Sequence, residues 1–136
     1  MSRARSSLET PLAIFTLVLL APYAIGETYH YVVYVGLWNN FLGYFVDLIA
    51  MVLMLMGGVA SLQVRPNSAA GWLAAAWAFT ACLNLRAFSW RHYERIAEGQ
   101  VSGEPDMVYT ILLYSFVTTF GALAVSLYCA RPRRSA

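Results

Sequence analysis

Apolar residues fall into four long runs along the chain, and shorter polar or aromatic stretches separate them. The runs cover residues 10–26, 41–64, 70–90 and 107–130. A helix crosses a bilayer with about 20 mainly apolar residues, so each run is long enough to span or nearly so. The pattern therefore predicts an all-α integral membrane four-helix bundle with up-down-up-down topology, in which residues 1–136 form a single transmembrane domain.

The second run has the clearest pattern for helix packing. Asp47 is its one charged residue, and the positions that follow it at helical spacing hold small or flexible side chains. Such residues let a neighbouring helix approach closely in a membrane. We therefore expect the following positions to face another helix: Ala50, Met51, Met54, Gly57, Gly58 and Ser61.

Residues 28–38, with the sequence TYHYVVYVGLW, allow more than one conformation. Their β-branched and aromatic content favours a strand or hairpin. If the first helix continues instead, Glu27, His30, Tyr31 and Tyr34 share one face, because they are spaced i, i+3, i+4 and i+7. The first outer loop is thus expected to be aromatic-rich and either irregular or helical.

Residues 1–26 also fit a cleavable signal peptide. Arg3 and Arg5 precede an apolar stretch, and residues 24–26 have the small-x-small form of a cleavage site. An uncleaved first helix leaves four spans with both termini on one side of the membrane, and this is the arrangement that we expect.

Composition agrees with the membrane class. Hydrophobic residues make up 60% of the chain and charged residues 12%, whereas soluble domains have about 45–50% and about 25%. The net charge of +2 is small, and the arginines are spread over several loops, so nucleic acid is not an expected partner. The expected partners are the lipid bilayer and other membrane helices, in a homo- or hetero-oligomer.

Arginines indicate the orientation. Loops on the cytoplasmic side of membrane proteins carry an excess of Lys and Arg. This rule places both termini in the cytoplasm. We separately expect the protein to lie in the bacterial cytoplasmic (inner) membrane. Six arginines fall on the predicted inner side: Arg3, Arg5, Arg65, Arg131, Arg133 and Arg134.

Three polar residues lie at nearly one predicted depth inside the spans. Asp47, Asn84 and Arg86 are each roughly 6–10 Å below the outer surface, at about 1.5 Å per residue. Asn84 and Arg86 point to nearly opposite sides of their helix, so Asp47 is expected to pair with Arg86. Unpaired charges at this depth are costly. One interpretation is structural: the pair fixes the register of the two helices, or Arg86 instead snorkels to the interface. The other is that the two residues form a ligand, ion or proton site.

Aromatic residues are concentrated on the predicted outer side, beyond what an interfacial belt requires. They suggest a shallow outer-face pocket for a lipid, a quinone or a partner helix. The spacing of the two histidines matches no metal motif, so no metal site is predicted. The pocket candidates are Glu27, His30, Tyr31, Tyr34, Trp38, Trp90 and His92.

The motifs of common catalytic sites are missing, because the chain has no GxSxG, HExxH, P-loop or GxGxxG. Together with small residues at Ala74, Ala78 and Cys82, this favours a non-enzymatic accessory or assembly subunit, or a self-associating partner in a membrane complex. One alternative is a transporter or channel subunit that uses Asp47 and Arg86. Another is a membrane enzyme or a lipid- or quinone-binding protein. No cofactor is identified by the sequence.

Overall fold

The computed structural model describes residues 8–63, 69–99 and 106–131. The regular structure in these ranges is helical throughout. A five-residue π-helical segment, Tyr31–Val35, continues the first helix without a break. The α-helices are α1 (Glu9–His30), α2 (Phe41–Leu62), α3 (Ala69–Ala97) and α4 (Met107–Ala130).

Three stretches of the described chain are long and apolar enough to cross a membrane: Glu9–Val35, Phe41–Leu62 and Met107–Ala130. The third predicted span, residues 70–90, falls within α3, which is long enough at 29 residues but not apolar enough to meet the same standard. Its apolar residues are interrupted by Asn84 and Arg86. This helix packs against both α2 and α4, and Asn84 is buried on that packed side.

The strand interpretation of residues 28–35 is wrong, because the segment is helical. It packs along α2, where the Thr28 hydroxyl hydrogen-bonds the Tyr44 hydroxyl at 3.0 Å. The rings of Tyr31 and Tyr44 also lie 5.3 Å apart between centroids. These side-chain contacts with a neighbouring helix outweigh the weak local β preference. The helix ends before Gly36, whose φ of +80° suits glycine.

The ends of the helices show how local sequence sets their limits. The Asn40 side chain caps α2 by accepting a hydrogen bond from the Gly43 amide at 3.2 Å. Asp106 caps α4 in the same way, at 2.6 Å from the Tyr109 amide. Beyond the C-terminus of α3, Gly99 has a φ of +70°, as expected for a glycine that follows a helix.

Each helix packs antiparallel to its neighbour in the chain. Near the start of α2, Asp47 meets Tyr23 of α1, whereas near its end an added Cβ at Gly58 would meet Leu17. At α3 and α4 the order is likewise reversed, because Asn84 bonds Ser115 while Arg91 bonds Asp106. We call the end of the bundle that holds the 36–40 turn and Asp106 the outer end.

Trp77 lies at the centre of the bundle and is fully buried. Its indole Nε1 donates to the Thr16 hydroxyl at 2.9 Å, which joins α3 to α1. That hydroxyl donates in turn to the Leu12 carbonyl at 2.7 Å. All four helices contribute to the surrounding buried cluster of Leu12, Met54, Leu73, Ala76, Trp77 and Ala122.

The helix-packing face predicted for α2 is confirmed. Its buried residues are the six positions expected from their spacing after Asp47: Ala50, Met51, Met54, Gly57, Gly58 and Ser61. An added Cβ at Gly57 would lie 3.0 Å from the Leu73 Cα. The glycine therefore brings the backbones of α2 and α3 into close approach.

Large apolar side chains cover the outside of the bundle. The exposed fraction reaches 68% at Val18, 78% at Leu42 and 60% at Val117, which lie on α1, α2 and α4. This distribution is the reverse of that in a water-soluble helical bundle, where polar residues face outward. Polar residues instead occupy buried positions: Thr16, Ser61, Thr80, Asn84, Thr119 and Ser126.

Candidate functional site

The outer end of the bundle carries two polar groups of residues, one on each helix pair. The first, which we call the Asp47 cluster, consists of Tyr23, Glu27 and Tyr31 of α1 with its π-helical extension, together with Asp47 of α2. The second, the Asp106 network, joins α3 to α4 through Arg91, Glu94, Arg95, Asp106 and Tyr109.

Asp47 is half-buried and faces α1. The Tyr23 hydroxyl donates to its Oδ1 at 3.1 Å. The Tyr31 hydroxyl lies beside Gly43 of α2, only 2.7 Å from the position that a Cβ would take there, and it interacts electrostatically with Asp47. Glu27 adds a second carboxyl group to the same cluster and repels Asp47. The carboxylate of Asp47 is thus held mainly by neutral phenol groups.

The expected direct contact between Asp47 and Arg86 is not formed. In residues 8–63, 69–99 and 106–131, the side-chain ion pairs within 4.0 Å all belong to the Asp106 network. Arg86 interacts with Asp47 only at longer range, and it is exposed on the surface of α3. The phenol of Tyr23, on α1, occupies the hydrogen-bonding position at Asp47 that was expected for the guanidinium.

Asn84 is buried and joins α3 to α4. Its Oδ1 accepts a hydrogen bond from the Ser115 hydroxyl at 2.5 Å, and its Nδ2 donates to the Thr80 carbonyl at 3.0 Å. Asn84 and Arg86 therefore point in different directions, as their spacing predicted, with Asn84 inside and Arg86 outside. Both functions of the Asn84 amide are used within the bundle, which indicates a structural role.

The seven pocket candidates are divided between the two helix pairs. The His30 ring, at the end of α1, contacts the rings of Tyr31 and Tyr34, with centroid distances of 5.5 and 6.1 Å. Trp38 is 84% exposed and stacks on Phe41 at 6.2 Å. Glu27 belongs to the Asp47 cluster.

The remaining two candidates lie on α3. The Trp90 indole donates to the Glu94 carboxylate at 2.6 Å. His92 stacks on Phe88 at 6.1 Å, and its Nδ1 lies 3.4 Å from the Tyr109 hydroxyl. Their contacts are therefore with α3 and α4, and not with the aromatic residues of α1.

A shallow apolar depression does lie against the end of α1, although on its outer surface. Five residues line it: Ala24, Ile25, Thr28, Tyr29 and Val32. None of the seven candidates is among them. The depression is open and carries almost no polar group, so it suits a lipid chain rather than a polar substrate.

The Asp106 network was not identified from the sequence. Arg91 forms ion pairs with Glu94 at 3.0 Å and with Asp106 at 2.6 Å. Arg95 lies 3.5 Å from Asp106 and 4.9 Å from the centre of the Tyr109 ring. The available signal was an aspartate immediately before an apolar run, which is typical of a helix cap. The network fixes the outer extension of α3 against the start of α4.

The hydrogen bond from the Tyr109 amide and that from Arg91 hold the pKa of Asp106 below its ordinary value of 3.8. The two carboxylate partners correspondingly raise the pKa of Arg91. A lowered folded-state pKa means that Asp106 contributes stability above its unfolded pKa and loses it as the pH falls through the folded value.

We expect Asp106→Asn to remove part of the acid sensitivity of the protein. Asparagine keeps the cap of α4 but cannot titrate, so the free energy of unfolding should fall less steeply below about pH 4 than in the wild type. Unfolding titrations in detergent at pH 3 to 7 measure this difference. Equal slopes for the two proteins would show that Asp106 does not titrate as proposed.

We expect Tyr23 and Asp47 to be energetically coupled. In a double-mutant cycle of Tyr23→Phe and Asp47→Asn, the coupling should be about 0.5–1 kcal/mol, as for other hydrogen bonds between membrane helices. The matched cycle of Asp47→Asn with Arg86→Gln should give less than half of that, because these side chains are not in contact. A larger coupling in the second cycle would indicate that Asp47 and Arg86 form an ion pair and would contradict the contacts described above.

The described ranges contain no group of three or more His, Cys, Asp or Glu residues that could hold a metal ion. Comparisons of the chain with family models, with curated proteins and with solved structures give no match. A functional proposal for this chain therefore rests on the geometry of its own residues.

Proposed function

We propose that this chain is an integral membrane protein whose four helices all cross the bilayer, and that it serves as a non-enzymatic subunit of a membrane complex. The single observation that carries the proposal is the reversed polarity of the bundle. Large apolar residues cover its outside, and most of its buried polar residues are hydrogen-bonded within the bundle.

The membrane assignment extends to α3 because of its neighbours. α3 packs between α2 and α4, both of which are long and apolar enough to span. Trp77 of α3 also donates a hydrogen bond to α1, so we place the middle of α3 at the same depth as the neighbouring helices. A helix at that depth must satisfy its backbone within the helix, and α3 does so.

The polar residues favour a binding partner over a transport pathway. Below Asp47, the interior is filled by apolar side chains of the central cluster, including Met54, Leu73 and Trp77. Asn84 and Thr16 are used in hydrogen bonds between helices. A pathway for ions or polar solutes needs polar groups along its length that are free to meet the solute. Below the Asp47 cluster, most buried hydroxyl groups of the described residues instead donate to carbonyls of their own helices.

Cysteine labelling from the two sides of the membrane tests the topology. Single cysteines are placed at Asn39, Gln63, Glu98 and Arg131, all exposed, in a background with Cys82→Ala and Cys129→Ala. We expect an impermeant maleimide to label positions 39 and 98 from one side and 63 and 131 from the other. The arginine distribution further predicts that the second side is cytoplasmic. Labelling of 63 and 98 from the same side would contradict a spanning α3.

Purification in mild detergent tests the role as a subunit. We expect the chain to elute with a second membrane protein in a fixed ratio, as a complex larger than its own 15.1 kDa. A monomer that carries a bound chromophore would favour the redox alternative. Ion flux in liposomes that Asp47→Asn abolishes would favour a channel or transporter.

A further inference from the structure

We propose that the outward surface of α3 docks an apolar helix of a different membrane protein, and that this helix carries a carboxylate at the depth of Arg86. We call this surface the α3 docking face and define it by Ala75, Ala78, Cys82 and Arg86. The inference rests on the proposed function, because it requires α3 to lie in the membrane, and it names the chemistry of the partner.

The residues of the α3 docking face follow one another at i, i+3, i+7 and i+11, so they form one stripe along the helix. All four are exposed. The opposite side of α3 is the packed one, with buried Leu73, Ala76, Trp77, Thr80, Ala81 and Asn84. The other helices of the described chain therefore cover the back of α3 and leave its docking face open.

The charge of Arg86 indicates what covers the face. Arg86 lies five residues before Arg91 on α3, which is roughly 7–8 Å below the Asp106 network at about 1.5 Å per residue. A guanidinium at such a depth requires a partner or water. Asp47, which lies at the same predicted depth, interacts with Arg86 only at longer range and is hydrogen-bonded to Tyr23 instead.

Snorkelling to the outer surface is disfavoured by the direction of α3. Side chains on a helix tilt toward its N-terminus, and α3 runs toward the outer end. Arg86 therefore leaves the backbone pointing inward, away from the nearer surface. It would have to fold back along its own helix to reach water there, whereas a carboxylate on an adjacent helix meets it directly.

The composition of α3 agrees with a protein neighbour rather than lipid. α3 is the one helix of the described chain that is not apolar enough to qualify as a spanning segment. Alanine and cysteine side chains give lipid little to pack against, but they let a second helix approach closely. Arginine adds a fork of donors that matches a carboxylate in a bidentate pair.

A second copy of this chain is a poor occupant. A parallel twofold dimer through the α3 docking face would bring the same residues together across its axis. Arg86 would then face the Arg86 of the other copy, and two like charges in a low dielectric repel strongly. The charge therefore selects a partner of different sequence.

A synthetic transmembrane helix tests the proposal. The full-length protein, in phosphatidylcholine vesicles, is mixed with a leucine–alanine helix that carries one aspartate at the depth of Arg86, or with the matched asparagine helix. Energy transfer to an acceptor on Asn39→Cys, in the Cys82→Ala and Cys129→Ala background, reports binding. We expect the aspartate helix to bind about tenfold more tightly than the asparagine helix.

Variants locate the contact. Arg86→Gln should abolish the preference for aspartate, whereas Arg86→Lys should keep part of it. Ala78→Leu should weaken the binding of both helices by blocking close approach. Ala21→Leu changes an exposed alanine of α1 in the same way and should have no effect.

Three results would overturn the proposal. The first is equal binding of the two helices by the wild type, or a preference that survives in Arg86→Gln. The second is Arg86-dependent enrichment of phosphatidylglycerol with no preference for aspartate, which would assign Arg86 to lipid headgroups. The third is efficient Cys82–Cys82 cross-linking of the unmodified protein by mild oxidation, which would identify a second copy as the occupant. Labelling of the loops measures the spanning of α3 separately, so either proposal can fail without the other.

Discussion

Replacing Trp77 by alanine is expected to lower the free energy of unfolding by about 3–5 kcal/mol, the largest effect of any single substitution in the bundle. The indole is completely buried and lies between α1 and α3, stacked on Phe15 with centroids 5.9 Å apart. Its removal leaves a cavity among residues of all four helices. Membrane helices associate mainly through van der Waals packing, so such a cavity removes the contacts that hold them together.

Trp77→Phe separates packing from hydrogen bonding. Phenylalanine fills part of the cavity but cannot donate to the Thr16 hydroxyl, which lies 2.9 Å from the indole nitrogen. That hydroxyl still donates to the Leu12 carbonyl, so no buried donor is left unpaired, and we expect a loss of about 1–2 kcal/mol. Titration of detergent-solubilised protein with a denaturing detergent measures both variants. Similar losses for the two would mean that packing around Trp77 contributes little.

Gly57→Ala is expected to cost about 1–3 kcal/mol, the second largest effect. The added methyl group would lie 3.0 Å from the Cα of Leu73 and 3.1 Å from the carbonyl oxygen of Trp72, and both are backbone atoms. Backbone cannot rotate away, so α2 and α3 must separate. At Gly58, by contrast, the nearest atoms belong to the flexible side chain of Leu17, and we expect a smaller loss there.

Gly121→Ala is the matched control. No atom lies within 4 Å of a Cβ added at this position of α4. Alanine favours a helix over glycine by up to about 1 kcal/mol, so the control should be neutral or slightly stabilising. If Gly57→Ala and Gly121→Ala were equally well tolerated, the close approach of α2 and α3 would be absent.

Much of the helix packing could be predicted from the sequence, because it depends on periodicity. The buried positions of α2 follow Asp47 at helical spacing, and all six were identified in this way. The opposite directions of Asn84 and Arg86 follow from the same geometry. Four apolar runs likewise correspond to four helices, although the third, α3, carries too many polar residues to qualify as a spanning segment by composition.

The contacts around Asp47 could not be predicted, because sequence spacing fixes the depth of a residue and its direction relative to others on the same helix, but not which neighbouring helix it faces. Asp47 and Arg86 were placed at one depth, yet Asp47 turns toward α1, where Tyr23 donates to it. A tyrosine phenol is uncharged at neutral pH, so matching opposite charges does not identify it as a partner of Asp47. Similarly, the aromatic residues of α1 and α3 share one end of the bundle but belong to two separate helix pairs.

The central claim is that the outward surface of α3 lies at membrane depth on the outside of the bundle. A spin label on the native Cys82, with Cys129→Ala to make the site unique, tests it directly in lipid vesicles. Cys82 is exposed, so we predict frequent collisions with oxygen, which dissolves in the bilayer, and few with a water-soluble nickel chelate. Frequent collisions with the nickel chelate would place α3 against water and contradict the account.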